Sequence, residues 1–76
     1  MIKVVLDTNI LISATFWKGN PYKVFNLVLE RKIQGNITLE ILEEYSKVLK
    51  RDFQLGEEEI QKRTERILES FTTVHQ

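Results

Sequence analysis

Two carboxylates are placed where they could do chemistry. Asp7 closes the apolar run Ile2–Leu6, and open α/β sheets gather their sites at the carboxyl ends of their strands. Aspartate is also among the best helix N-caps, and Asp7-Thr8-Asn9 is a helix-starting triplet. Asp7 therefore reads either as a cap or as a metal-binding carboxylate that Thr8 and Asn9 could orient through hydrogen bonds. The second acid, Glu44, lies in the segment 40–51, where Ile41, Leu42, Tyr45, Val48 and Leu49 follow a helical period. At about 100° per residue with Ile41 at zero, the apolar arc runs from Val48 at about 340° to Leu42 at about 100°, and Glu44 falls at about 300°. Glu44 is thus the acid of this helix expected nearest the core margin. A glutamate there either packs its stem with its head in water or is paired or metal-bound. A helix that begins just after the second strand starts at the same end of the sheet as Asp7, so the two carboxylates are expected to converge. Oxygen donors suit Mg²⁺ or Mn²⁺, ions that activate water and steady a phosphodiester under attack. Two carboxylates are few for that work, and no other acid is placed to join them. Asp52 follows the far end of the helix. Glu57, Glu58 and Glu59 open another helix, where they complement its dipole.

The remaining residue types close off other chemistry. The chain has no cysteine and a single histidine, His75, which excludes a disulfide scaffold and a thiolate zinc site. No serine–histidine–acid arrangement and no glycine-rich phosphate loop can be built. Trp17 and Tyr22, beside Lys18 and Lys23, could stack on bases, although such aromatics more often pack. Ser13, in an apolar helix, is expected to bond back to the backbone.

The elements that must position the acids follow from pattern. Seventy-six residues, 42% hydrophobic and 29% charged, describe a small globular unit with one modest core. Net charge is zero, but residues 1–38 carry five basic and two acidic side chains and residues 39–76 six and nine, +3 against −3. A basic front half is a weak pointer to a phosphate backbone beside ordinary solvated faces. No apolar run is long enough for a membrane span. Met1-Ile2-Lys3 leads straight into the first strand, so a cytoplasmic chain without a signal peptide is expected. Residues 2–6 read as a strand buried on both faces. Residues 10–17 read as a short helix and 18–21 as a turn, with Asn20 as cap and Pro21 at the first helical position. A second helix is expected over 21–33, ended by Gly35-Asn36. A second strand is expected over 37–39, the acid-bearing helix over 40–51, and a break at Leu55-Gly56. A fourth helix starts at Glu57, with Ile60, Thr64, Ile67, Leu68 and Phe71 inward and Glu58–Lys62 and Glu59–Arg63 as supporting pairs. A third strand is expected from Thr72. The order β-α-α-β-α-α-β calls for an α/β fold with a parallel sheet flanked by helices. An apolar first strand wants neighbours on both sides. Residues 1–76 are therefore expected to be the N-terminal portion of a single domain, or one partner in an assembly that covers that edge.

Three blocks of residues resemble a known family. Val4-Val5-Leu6-Asp7-Thr8-Asn9-Ile10-Leu11-Ile12-Ser13-Ala14 is similar to the opening of PIN-domain proteins. Phe16-Trp17-Lys18-Gly19-Asn20-Pro21 resembles the Trp-Gly-Pro turn of the prokaryotic, toxin-like PIN branch. Ile37-Thr38-Leu39-Glu40-Ile41-Leu42-Glu43-Glu44-Tyr45 resembles that branch's second strand and glutamate-bearing helix. The resemblance runs through all 76 residues and corresponds to about the first half of the family's domain. It implies a parallel sheet between two helical layers and a Mg²⁺- or Mn²⁺-dependent endoribonuclease, with Asp7 and Glu44 as catalytic metal ligands and Thr8 and Asn9 as supporting polar groups. It also implies an RNA substrate, a homodimer and silencing by an antitoxin. The family's later acids have no counterpart here, so the implied site is half built. A rival reading is a catalytically silent interaction module that keeps the scaffold for dimer or antitoxin contact. A third, a flavodoxin-like module with Asp7 as phosphoacceptor, lacks the additional early acids and later lysine such a site uses.

Overall fold

The structure, a computed structural model, describes residues 1–75. Its elements are β1 (Lys3–Val5), α1 (Thr8–Phe16), α2 (Asn20–Leu29), β2 (Gln34–Ile37), α3 (Leu39–Arg51), α4 (Glu57–Ser70) and β3 (Thr72–Thr73). The three strands form one parallel sheet in the order β1-β2-β3. Val4 pairs with Gly35 and Val5 with Asn36, and Ile37 pairs with Thr73. The expected α/β fold with a parallel sheet is therefore what forms, with its helices on one face among the described residues. No helix among the described residues is long and apolar enough to cross a membrane.

A single core joins the elements. Leu6, Leu11, Val28, Ile37, Leu42, Tyr45, Leu49, Ile67 and Phe71 are all buried in it, with Val4 packed against it. All four helices contribute, and the sheet residues that join alternate along their strands. The helices therefore lie over the face that carries Val4, Leu6 and Ile37. Lys3 and Val5 point the other way, and Val5 is 69% exposed. This corrects the expectation that the first strand is buried on both faces: among the described residues no element covers its second face. Among the described residues β1 is also an edge strand, paired only with β2. Its open edge and the exposed Ile2 and Val5 make the unpaired apolar border that the sequence pattern implied.

The largest shifts in element bounds, at β2 and α2, have physical reasons. The second strand begins at Gln34 instead of residue 37, and takes in the Gly35-Asn36 pair expected to end a helix. Gly35 is there because nothing larger fits: a Cβ on it would lie 2.7 Å from the Phe71 ring and 2.9 Å from Val28 Cγ1. Helix α2 is shorter than expected. Its cap is Gly19, not Asn20, and it stops at Leu29. There Arg31 N–H bonds to the Val28 carbonyl and Lys32 N–H to the Leu27 carbonyl, the paired closure of a Schellman motif. Arg31 occupies the left-handed position at φ 62°, which glycine adopts freely and a side chain does not. Arg31→Gly is expected to stabilise the chain by about 1 kcal/mol, read as a higher urea midpoint at unchanged slope. A lower midpoint would show that the Arg31 side chain contributes more than its backbone strain costs.

Phe16, Trp17 and Phe53 form an aromatic cluster. Phe16 stacks on Phe53 with centroids 4.0 Å apart, and Trp17 sits edge-on to both. The outer side of Trp17 is left exposed. On α4, Leu68 is exposed instead of lying in the buried stripe, and Ile67 and Phe71 carry the burial.

Candidate active site

β1 delivers Asp7 to the carboxyl end of the sheet. The last rung of the ladder there is Leu6 N–H to the Asn36 carbonyl, 3.2 Å. Beyond it the chain turns into α1, and Asp7 caps that helix: its Oδ1 accepts from Ile10 N–H at 2.9 Å. The cap reading of Asp7 is thus seen directly. It occupies one carboxylate oxygen. Oδ2 has no hydrogen-bond partner among the described residues, and the side chain is exposed.

β2 does the same for α3. Val5 pairs with Asn36 in parallel, so β1 and β2 carry Asp7 and Thr38 to the same end of the sheet. Thr38 Oγ1 accepts from Ile41 N–H at 3.1 Å and caps α3. Two helix N-termini therefore open side by side, and their positive ends make this mouth of the sheet attractive to anionic groups.

Glu44 is in the second turn of α3, and it is exposed. The fully buried line of this helix is Leu42, Tyr45 and Leu49, with Ile41 and Val48 only half-buried. Burial is thus centred near 75° on the wheel, and Glu44 lies about 135° away from it. The expectation that Glu44 leans on the core margin is corrected accordingly. It shares a face with Arg51, two turns on. The Arg51 guanidinium is held charged first by its hydrogen bond to Asp52 and slightly by the Glu44 charge. The same Arg51 contact holds the Asp52 carboxyl below its ordinary range and commits that acid to a salt bridge at 2.8 Å.

Asp7 and Glu44 enter no ion pair among the described residues, and each keeps carboxylate oxygen free. Thr8 is buried at the first position of α1 and Asn9 is exposed beside it. No side-chain hydrogen bond ties either to the two acids among the described residues. Two residues at this mouth had no role in the sequence reading. Glu40 and His75 line a shallow cleft of about 210 Å³ with Thr38, Leu39 and Val74. The register was the available signal: Ile37 pairs with Thr73, which carries His75 level with the start of α3. Among the described residues no group of three or more His, Cys, Asp or Glu could hold one metal ion. Asp7 and Glu44 are hard oxygen donors, and Mg²⁺ is commonly held by one or two carboxylates with water completing its octahedron. The chemistry of each donor suits such an ion, and no contact among the described residues joins the two carboxylates.

Residues 3–76 match the family model described as PIN domain. No curated protein matches the chain.

Proposed function

The chain belongs to the PIN domain family, and from that premise we propose that it serves a Mg²⁺- or Mn²⁺-dependent endoribonuclease activity. The observation that carries the reading is Asp7. It stands at the carboxyl end of β1, holds α1 with one oxygen, and leaves the other free beside two helix N-termini. Membership of the family makes a nuclease-type role with a nucleic-acid partner the default. RNA as substrate and a divalent cation as cofactor are the specific forms proposed here.

A bound divalent cation would supply a water made acidic enough to attack phosphorus, and positive charge for the developing oxyanion. The chain's own part is to place the groups around it. Asp7 and Glu44 would hold the ion, the first from a strand end and the second from a rigid helix. The Asp7 cap fixes the carboxylate's rotamer, because Oδ1 is anchored to Ile10 N–H. The N-termini of α1 and α3 draw the phosphodiester to the mouth of the sheet, and Thr8 and Asn9 border it as polar neighbours.

A toxin-like role silenced by an antitoxin belongs to the same reading, supported by the Trp17–Pro21 turn. A homodimer is supported by the exposed apolar border of β1. The second reading is a catalytically silent interaction module. What favours it is that no group of three or more acids or histidines that could hold a metal ion forms among the described residues.

The test is cleavage of a structured and a single-stranded RNA with Mn²⁺ and with EDTA. Cleavage that needs the metal supports the nuclease. Cleavage that persists in EDTA contradicts the mechanism, and Mn²⁺ binding without cleavage selects the silent module.

A further inference from the structure

A second concavity lies apart from the acids. It is a cleft of about 350 Å³ between α1, α2 and α4, and neither Asp7 nor Glu44 lines it. Its charge is one-sided. Lys62, Arg63 and Arg66 line it against one acid, Glu59. Arg66 makes no ion pair or hydrogen bond among the described residues. Arg63 Nε is fully buried with no hydrogen-bond partner. Glu59 Oε1 stands 3.1 Å from it but off the N–H direction, so that contact is an ion pair that leaves the donor unused.

The floor explains why Arg63 is held there. Thr15 Oγ1 gives its only proton to the Leu11 carbonyl at 2.8 Å. The Thr15–Tyr45 hydrogen bond of 2.7 Å must therefore have Tyr45 as donor. The Tyr45 oxygen is left as an acceptor toward α4. Burial pushes the Tyr45 hydroxyl above the ordinary phenol range, while the nearby Arg63 guanidinium pulls it part of the way back. Tyr45 is thus a neutral hydroxyl that can accept a hydrogen bond from a guanidinium. It cannot compete with an incoming anion for Arg63.

A guanidinium whose buried Nε–H has no acceptor in line can take one from an incoming ligand. Lys62 also reaches Glu58 at 4.0 Å, but a lining of three cations and one acid still suits a dianion better than a single carboxylate, and guanidinium forks match phosphate oxygens. The volume sits at the lower end of the range for small-ligand sites, about 300–1,000 Å³. Tyr22 lines the same cleft and offers a ring to a base. We propose that this cleft binds a nucleoside monophosphate, with Arg63 and Arg66 on its phosphate and Tyr22 against its base.

Calorimetric titration of the chain with uridine 5′-monophosphate, inorganic phosphate and uridine tests this. The monophosphate is expected to bind at least about threefold more tightly than inorganic phosphate, with no heat from uridine. Arg66→Gln, at an exposed position, should weaken binding at least about fivefold. Glu59→Gln removes the competitor for Arg63 and should strengthen it. Circular dichroism confirms that both variants fold. The site is independent of the proposed metal centre, so Asp7→Asn should bind the monophosphate unchanged. Equal affinity for inorganic phosphate, binding of uridine alone, or indifference to Arg66→Gln overturns the assignment.

Discussion

Asp7→Asn is expected to abolish divalent-cation binding and lower RNA cleavage at least about 100-fold, while leaving the stability of the fold unchanged to within a few tenths of a kcal/mol. The separation is possible because Asp7 has two tasks. As a cap it accepts one hydrogen bond from Ile10 N–H, which an asparagine carbonyl accepts equally well. As a ligand it must bring negative charge, which asparagine lacks. Asp7→Ala loses both and should also cost about 1 kcal/mol of stability. Urea unfolding and Mn²⁺ calorimetry on the pair of variants read the two tasks apart. Full Mn²⁺ affinity in Asp7→Asn would leave Asp7 as a cap and nothing more. Lost stability in Asp7→Asn would show that the carboxylate's charge is needed by the fold itself.

Gly35→Ala is expected to destabilise the chain by about 2–3 kcal/mol. The added methyl would meet Phe71 Cδ2 and Cε2 at 2.7 Å and Val28 Cγ1 at 2.9 Å. Neither neighbour can swing into solvent. Phe71 and Val28 are both buried, and Phe71 is packed against Phe25 with ring centroids 5.5 Å apart. Relief therefore requires β2 to move away from α4, which also loosens the pairing that carries Thr38 to the same end of the sheet as Asp7. In a chain this short, 1 kcal/mol shifts the melting temperature by about 4–8 °C, so Gly35→Ala should melt about 10–20 °C lower. A melting temperature within 2 °C of the parent, a bound set well inside that estimate, would mean that the contact at Gly35 is looser than the structure shows.

What could be read from the chain beforehand follows from how local each signal is. Asp7 was legible as both cap and strand-end acid because both signals lie within four residues of it. Helices α3 and α4 were legible because their apolar periods run over three turns, and the pairs Glu58–Lys62 and Glu59–Arg63 followed at once. Strand β2 was displaced because Gln34-Gly35-Asn36 has the composition of a turn. What makes it a strand is the approach of Phe71 and Val28, which are distant or helical in the sequence. The burial of β1 depended on which face the helices cover, and no strand carries that information itself. The position of Glu44 differs from the helical wheel for a related reason. The wheel of α3 was centred on apolar residue types, whereas its burial is set by α1 and α4 packing on it together, along Leu42, Tyr45 and Leu49. The cationic cleft has residues from four helices and could not be read from any one of them.

Substoichiometric Mn²⁺ added to the ¹⁵N-labelled chain tests most directly whether two carboxylates from different elements serve one ion. Paramagnetic broadening should strike the amide signals around Asp7 and around Glu44 together, with one shared midpoint, and Asp7→Asn should erase both. Broadening confined to one of the two segments, or persisting at Glu44 when Asp7 is replaced, would contradict a common centre.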